Sequence, residues 1–331
     1  MRTWAIRFVV FFGVASVLLG SACLWWVNQP LSLASDPVDV AIEPGTSPRG
    51  VAHLVAASGV QINPTLLYWV FRLSGRAREI KAGSYEVGQG TSPYSLLRKL
   101  VRGDETLRAI TLVEGWNFRQ LRAALANAEH IKPDTQGLTD SAIMDKLGRP
   151  GLPAEGRFFP DTYNYAKGVS DLAVLKRALR AMDQRLEKTW SQRAQGLPLK
   201  SPEDALVLAS IVEKETGRAS DRAMIAGVFN NRLRIGMLLQ TDPSVIYGLG
   251  ERFDGNLRKR DLLADTPWNT YTRAGLPPTP IAMPGKAALL AAVQPATTKA
   301  LYFVARGDGS SQFSATLDEH NRAVNKFQRG Q

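Results

Sequence analysis

The first pattern along the chain is one long apolar segment near the N-terminus. From Ile6 to Val27 the only charged residue is Arg7. A membrane-spanning helix needs about 20 predominantly apolar residues, so this segment is predicted to be a single transmembrane anchor. Arg2 and Arg7 lie on its short N-terminal side. Since basic residues are retained on the cytoplasmic side, we expect a cytoplasmic N-terminus and an exported body.

Two other interpretations of this segment stay open. Gly20-Ser21-Ala22 offers a weak small-x-small site for cleavage of a signal peptide. Cys23 would be the modified residue of a lipoprotein signal. The length of the apolar run favours the retained anchor over both. Residues 1–30 are therefore predicted to form the cytoplasmic N-terminus and anchor, and residues 31–37 a linker.

A strand-turn-helix pattern repeats after the linker. Val38–Ile42 alternates between apolar and polar positions, as a half-buried strand does, and Ser47-Pro48 then begins a helix. The same order returns at residues 84–103. These repeats predict a small α+β module over residues 38–105.

The rest of the chain, residues 106–331, is predicted to be a larger mixed α/β domain, so that the whole chain has the α+β class. A hydroxyl cap at Ser201 followed by proline begins a helix, and Asp242-Pro243 begins another. Leu301–Ala305 reads as a strand, and a final helix starts near Leu317. This domain is large enough to hold an enzyme cleft.

Two acids, Glu213 and Glu215, stand at the end of the helix that begins at Ser201. Leu208 and Ile211 lie on one face at helical spacing, and Glu215 continues that face toward the core. Burial would raise the pKa of such a carboxyl group, which suits a general acid near neutral pH. The alternative is that both acids are solvated, although negative charge is unfavourable at a helix C-terminus.

Further candidate contacts come from two polar segments after this helix. Each segment either lines a wet cleft or satisfies its own backbone, since buried polar groups need partners. The candidate substrate-binding residues are Gln240, Thr241, Asp242, Asn269 and Tyr271. An aromatic-rich loop at residues 155–165 is similarly ambiguous between core packing and sugar binding.

The composition argues against a disulfide, a metal site and nucleic-acid binding. Cys23 is the only cysteine, which excludes an intramolecular disulfide, and the three histidines show no metal-ligand spacing. No metal or cofactor is therefore expected. The formal charge of +11 comes from basic residues spread along predicted helices. Because an exported body rarely meets nucleic acid, we expect solvated helix faces and no nucleic-acid partner.

Several stretches, in this order along the chain, resemble the MltG (YceG-like) family of membrane-anchored endolytic murein transglycosylases. They are E-K-E-T at Glu213 to Thr216, NRL-x-IGM-x-LQTDPSVIYG at Asn231 to Gly248, N-T-Y at Asn269 to Tyr271, G-L-P-P at Gly275 to Pro278, and His320-Asn321. The resemblance covers nearly the whole chain and implies an anchor, a LysM-like module and a catalytic domain.

The resemblance implies cleavage of the β-1,4 bond between N-acetylmuramic acid and N-acetylglucosamine in peptidoglycan, with a 1,6-anhydro end as product. It also implies action on nascent strands at the cytoplasmic (inner) membrane, beside penicillin-binding proteins of the elongation machinery. Such an activity would limit the length of glycan strands.

The resemblance implies that Glu215 is the catalytic acid, because it is followed by the hydroxyl residue Thr216 as the catalytic glutamate of lytic transglycosylases is followed by serine. Glu213 is the reserve candidate. One carboxyl group suffices if the C6 hydroxyl of the substrate is the nucleophile, whereas most glycosidases need two. Two alternatives stay open. Asp242 as a second carboxylate would give a hydrolytic muramidase, and a non-catalytic scaffold would bind peptidoglycan and recruit synthases.

Overall fold

The computed structural model describes the backbone of residues 2–330 and the side chains of residues 4 and 11–330. The chain divides into two compact units. The first comprises Met1–Arg108 with Asn164–Gly168, and the second comprises Ala109–Tyr163 with Val169–Gln331. Helices and small antiparallel sheets make up the structure, which confirms the α+β class.

The first unit follows the predicted strand-turn-helix order. Its elements are α1 (Arg2–Val27), β1 (Ser32–Leu33), β2 (Val38–Ile42), α2 (Pro48–Ala57), β3 (Val60–Gln61), α3 (Pro64–Leu73), β4 (Gly83–Val87) and α4 (Pro93–Arg102). Strand β1 lies within the predicted linker and pairs antiparallel with β3, while β2 pairs antiparallel with β4. The LysM-like character of this module and its boundary at residue 105 stay predictions.

Proline-initiated helices explain why this unit folds as its sequence suggests. The caps of α2, α3 and α4 are Ser47, Asn63 and Ser92, and each accepts hydrogen bonds from the first turn while proline follows it. Such caps satisfy backbone N–H groups that have no partner inside the helix. The apolar faces close over a core that contains Tyr85 and Phe71, both fully buried.

Helix α1 corresponds to the predicted anchor. The predicted span begins at Ile6, and the side chains of residues 6–10 lie outside the described part of the structure. Across the residues that are described, no helix combines enough length and apolarity to cross a membrane. The membrane span therefore stays a prediction.

In chain order the remaining elements are β5 (Leu107–Thr111), α5 (Phe118–Ala126), α6 (Asp140–Lys146), β6 (Thr162–Ala166), α7 (Asp171–Ser191), α8 (Pro202–Glu215), α9 (Ala219–Arg234), α10 (Asp242–Leu249), α11 (Lys259–Leu263), α12 (Lys286–Val293), β7 (Tyr302–Ala305), β8 (Ser311–Ser314) and α13 (Leu317–Val324). Strands β7 and β8 form an antiparallel hairpin in the second unit.

Helix α8 is the centre of the second unit. Its residues 205–212 are buried without interruption, and the helix packs against α7, α9 and α12. One polar residue inside this run, Ser210, accepts a hydrogen bond from the backbone N–H of Ile281 at 3.0 Å. This bond fixes the proline-rich loop at residues 275–285 to the helix. Because residues 205–212 are buried around the whole circumference of the helix, contacts on every side set the position of α8.

One helix starts close to where the sequence predicts it, and one was not predicted. The sequence predicts a capped helix from near Asp221, and α9 begins at Ala219. Asp221, in the first turn of α9, is buried and accepts a hydrogen bond from the N–H of Ser311 at 2.8 Å instead of capping the helix. Helix α12 was not predicted. Its sequence is a short apolar run without polar alternation, so its periodicity cannot distinguish a buried helix from a strand.

Candidate active site

The site is built around the end of α8. The helix terminates at Glu215, and Thr216 has an extended backbone conformation with φ −148° and ψ 133°. Glu215 and Glu213 are two residues apart, which is about 200° around a helix. Their carboxyl groups therefore reach different surroundings.

Glu215 is half-buried and faces α10. Its Oε1 accepts a hydrogen bond from the hydroxyl of Thr241. Burial raises the pKa of Glu215, and the nearby charge of Asp242 raises it further. The Thr241 hydroxyl and the Arg232 guanidinium act in the opposite direction on this pKa. Since burial is the largest effect, the pKa of Glu215 lies above the ordinary value of a glutamic acid.

Thr241 is itself held in place by a buried hydroxyl cluster. Its N–H donates to Oγ1 of Thr270 at 3.0 Å, and its carbonyl accepts from the hydroxyl of Ser244 at 2.8 Å. The two hydroxyls of Ser244 and Thr270 lie 2.9 Å apart and are hydrogen-bonded. All three residues are buried. The position of the Thr241 hydroxyl against Glu215 is therefore fixed by the fold before any substrate binds.

Arg232 is a buried cation whose charge lowers the pKa of Glu215. Its Nε donates to the carbonyl of Leu301 at 2.7 Å, and its Nη1 donates to the carbonyl of Leu239 at 2.7 Å. The guanidinium also lies over the ring of Tyr302, 5.5 Å from the ring centre. Arg232 acts on an acid 17 residues earlier in the chain, a relationship that no local sequence pattern indicates.

Asp242 is exposed in the first turn of α10 and accepts a hydrogen bond from the hydroxyl of Tyr271 at 2.5 Å. Burial raises the pKa of Tyr271, and Asp242 contributes to the same shift. The tyrosine is therefore a neutral donor at physiological pH. The structure thus brings Glu215, Thr241, Asp242 and Tyr271 together, as the sequence segments suggested.

The two other candidate residues, Gln240 and Asn269, differ in their exposure to solvent. Gln240 is exposed with a left-handed backbone, φ 48°, and its N–H donates to the carbonyl of Thr270 at 3.1 Å. Asn269 is fully buried, and its amide donates to carbonyls of the preceding loop, including that of Ala264 at 2.6 Å. Its Oδ1 accepts the N–H of Tyr271. Asn269 therefore shapes the loop that carries Tyr271.

Glu213 faces the other side of α8. Its Oε2 accepts a hydrogen bond from the N–H of Gly285 at 2.9 Å, at the start of α12. Burial raises the pKa of Glu213, the charge of Glu114 raises it further, and the Gly285 N–H acts in the opposite direction. A Cβ on residue 285 would lie 1.8 Å from Oε1 of Glu114, so a larger residue there requires the exposed Glu114 side chain to move. Glu213 thus joins α8 to the N-terminus of α12.

A cleft of about 850 Å³ adjoins this site, and we call it the Glu155 cleft. Its lining residues are Gly115, Asn117, Phe118, Arg119, Gln120, Asp140, Glu155, Lys214, Pro243, Ile246, Tyr247, Gly250, Glu251, Phe253, Trp268 and Ile281. Two of these residues, Lys214 and Pro243, are sequence neighbours of Glu213, Glu215 and Asp242.

Glu155 is the titratable group that sequence reasoning did not select. The residue is 8% exposed, and its carboxylate accepts hydrogen bonds from the N–H groups of Phe118 at 3.1 Å and of Gly156 at 3.2 Å. Burial raises the pKa of Glu155 to about 7, against the lowering effect of these bonds and of the Tyr247 hydroxyl. The sequence feature that could have pointed to Glu155 is an acid followed by glycine in the aromatic-rich loop at residues 155–165.

Comparison with known proteins assigns the family. The YceG-like family matches residues 40–326. An endolytic murein transglycosylase of Bacillus subtilis is 31% identical, with 94% of this chain and 91% of that protein aligned. An endolytic murein transglycosylase of Streptococcus pneumoniae is 25% identical over 98% of this chain and 65% of that protein. The chain therefore belongs to the YceG-like family.

A solved structure agrees with this assignment. The crystal structure at 2.6 Å of a protein described as yceG-like from Listeria monocytogenes matches with a TM-score of 0.54 and 28% identity. The match covers 87% of this chain and 99% of that structure.

Proposed function

We propose that this protein is an endolytic peptidoglycan lytic transglycosylase that uses Glu215 as its only catalytic carboxyl group. The observation that carries the proposal is the surroundings of Glu215, a half-buried acid with a raised pKa whose Oε1 is occupied by the Thr241 hydroxyl. Because Oε1 accepts that bond, the acidic proton resides on Oε2. The activity named for the relatives from B. subtilis and S. pneumoniae supports the same reaction and disfavours a non-catalytic scaffold.

In this reaction Glu215 first donates one proton to the substrate and then takes one back. Glu215 donates its proton to the glycosidic oxygen as the bond from that oxygen to the anomeric carbon of N-acetylmuramic acid breaks. The C6 hydroxyl of the same sugar then attacks the anomeric carbon, and the Glu215 carboxylate takes the hydroxyl proton. The acid is regenerated, no water is consumed, and the muramic acid ends as a 1,6-anhydro sugar.

The neighbours of Glu215 have distinct proposed roles. Thr241 orients the acid, and Arg232 stabilises the carboxylate that exists between the two proton transfers. Gln240, Asp242 and Tyr271 hold the sugars, since their polar groups lie at or near the surface beside the acid. Asn269 is not proposed as a sugar contact, because its side chain is fully buried and bonded to backbone groups.

We further propose that α1 anchors the protein in the cytoplasmic (inner) membrane with the catalytic unit outside the cytoplasm. The helix has 26 residues, about 39 Å at 1.5 Å per residue, which exceeds the roughly 30 Å hydrocarbon core. Described side chains such as Leu18, Leu19 and Leu24 are more than 60% exposed, and such an apolar surface favours lipid around it. An anchored enzyme would meet nascent strands beside the penicillin-binding proteins that make them.

The reaction is tested by digesting uncrosslinked glycan strands in water labelled with heavy oxygen and analysing the products by mass spectrometry. A transglycosylase releases unlabelled 1,6-anhydro ends from internal positions of the strand. Reducing ends that carry the label would instead establish hydrolysis, with Asp242 as the second carboxylate. Release of end sugars alone would contradict the endolytic assignment.

A further inference from the structure

The outer face of α3 carries a row of large apolar side chains. Leu66, Trp69 and Leu73 follow one another at spacings of three and four residues, which places them on one face of the helix. Their exposed fractions are 51%, 48% and 81%. The inward side of the same helix carries Leu67 and Phe71, which are fully buried in the core of the first unit. We call Leu66, Trp69 and Leu73 the α3 stripe.

The α3 stripe is not needed to build the core of its unit. Leu67 and Phe71 already supply the buried contacts of α3, while the three side chains of the stripe remain open to solvent. Single exposed apolar residues are common on folded proteins. Neighbouring ones on one face, bordered by polar residues, mark a surface that binds a partner. The stripe therefore indicates a partner that lies outside the chain.

The segment around the stripe has a surplus of positive charge. From residue 44 to residue 78 the chain contains Arg49, Arg72, Arg76 and Arg78 and no acidic residue. Arg72 lies in the last turn of α3, and Arg76 and Arg78 follow the end of the helix. All three are exposed. Apolar side chains beside exposed arginines complement a surface that is apolar inside and negatively charged outside, which is the surface of an anionic lipid bilayer.

The order of the strands brings α3 close to the end of α1. Only four residues separate Val27, at the end of α1, from Ser32 in β1, a distance of at most about 18 Å between these two residues. Strand β1 pairs with β3, where Ser32 lies opposite Gln61. Helix α3 then begins at Pro64, three residues after Gln61. The start of α3 is therefore held near the point at which the proposed anchor leaves the bilayer.

We propose that the α3 stripe docks the first unit onto the outer surface of the cytoplasmic (inner) membrane. Leu66, Trp69 and Leu73 enter the boundary between headgroups and acyl chains, where tryptophan is favoured, and α3 lies in the plane of the membrane. Arg72 binds anionic headgroups. The proposal rests on the proposed anchor, because the anchor brings the stripe to the bilayer. A second attachment of this kind would fix the orientation of the first unit, which one helix alone leaves free to rotate.

The test places a fluorophore on the stripe of the full-length protein. Leu73→Cys is labelled in a Cys23→Ser background and reconstituted as one copy per nanodisc of phosphatidylcholine and phosphatidylglycerol. When the acyl chains carry bromine, which quenches on contact, the label at residue 73 should lose most of its fluorescence. Leu107→Cys is the matched control, because Leu107 is 53% exposed on β5 of the same unit but lies outside the stripe. Its label should keep its fluorescence.

Two further comparisons examine the stripe and the charge separately. Leu66→Gln together with Trp69→Gln should restore the fluorescence of the label at residue 73, whereas Leu263→Gln, at an exposed leucine on α11, should not. Nanodiscs without phosphatidylglycerol should quench the label less. Unchanged quenching after Leu66→Gln and Trp69→Gln would overturn the docking, and equal quenching in the two lipid mixtures would overturn the contribution of the arginines.

A label on the native Cys23, which lies in α1, reports insertion of the anchor independently. Quenching at Cys23 without quenching at residue 73 would overturn docking to lipid, in favour of a protein partner, and would leave the anchor intact. Quenching at residue 73 without quenching at Cys23 would contradict the anchor and support the stripe as a surface that binds lipid by itself. The failure of one proposal can therefore be told from the failure of the other.

Discussion

The hydroxyl of Thr241 donates a hydrogen bond to Oε1 of Glu215, across 26 residues of sequence. The bond joins the end of α8 to the N-cap of α10. It directs the acidic proton to the opposite oxygen of Glu215, and it lowers the pKa of an acid whose burial raises it. The Thr241 hydroxyl therefore contributes to both the orientation and the acidity of the proposed general acid.

Thr241→Val tests this dependence. Valine has nearly the shape of threonine but cannot donate a hydrogen bond, so the pKa of Glu215 should rise and its carboxyl should lose its fixed orientation. We expect kcat to fall about tenfold. The alkaline limb of the pH–rate profile should move to higher pH, because Glu215 with a raised pKa stays protonated to higher pH. Steady-state rates across the pH range measure both effects.

Thr241→Ser is the control for this substitution. Serine keeps the hydroxyl, so the position of the alkaline limb should return to that of the wild type. If the valine variant loses activity with no displacement of the limb, the hydroxyl does not set the acidity of Glu215.

Glu155→Gln should change how stability depends on pH. The pKa of Glu155 is raised in the folded protein from 4.5 to about 7, so between these values the folded state binds more protons than the unfolded state. Stability contributed by the protonated form is therefore lost as pH rises from about 4.5 to 7, by up to about 3 kcal/mol. The substituted side chain would carry no charge, while its amide oxygen could still accept the N–H groups of Phe118 and Gly156.

Chemical denaturation at several pH values measures this effect. The slope of unfolding free energy against pH should become flatter for Glu155→Gln. The exposed Glu187→Gln on α7 is the control and should follow the wild-type curve. Parallel curves for wild type and Glu155→Gln would mean that Glu155 does not titrate in this window.

Gly227→Ala should destabilise the second unit although alanine favours helices. Gly227 lies inside α9, where an added Cβ would be 2.8 Å from the carbonyl oxygen of Ala296 and 2.9 Å from Cγ2 of Thr298. The backbone contact cannot be relieved by rotating a side chain, so overpacking should cost about 1–3 kcal/mol and exceed the gain of about 1 kcal/mol in helix propensity.

The midpoint of chemical denaturation measures the effect of Gly227→Ala. Gly217→Ala is the matched control, because a Cβ on residue 217 would meet no atom within 4 Å. We expect a lower midpoint for the first variant and little change for the second. An unchanged midpoint for Gly227→Ala would indicate that the contact between α9 and the segment at residues 296–298 is looser than the structure describes.

Local signals in the sequence predicted the elements well where caps are strong. Ser47, Asn63 and Ser92 each precede proline, and each begins a helix because its side chain bonds the first turn. Asp242-Pro243 likewise begins α10. Helix α12 could not be recognised in this way, since Gly285 supplies no capping side chain and its partner Glu213 comes from 72 residues earlier.

The candidate site was predictable in part. Helical spacing directed Glu215 toward the core side, and the structure places it beside Thr241 and Asp242. The pairing of Glu155 with the start of α5 depends on contact between segments 37 residues apart, which no local pattern encodes. The interior position of Asn269 likewise follows from loop packing, because polarity alone cannot distinguish a ligand contact from a residue that bonds its own loop.

The role of Glu215 is tested most directly by comparing the products from uncrosslinked glycan strands incubated with wild-type protein, Glu215→Gln and Glu213→Gln. If Glu215 is the catalytic acid, wild type gives 1,6-anhydro ends and Glu215→Gln gives none. Folded Glu213→Gln continues to release them, since Glu213 bonds the start of α12. Anhydro ends that persist in Glu215→Gln and disappear in folded Glu213→Gln would contradict this role and assign the acid to Glu213.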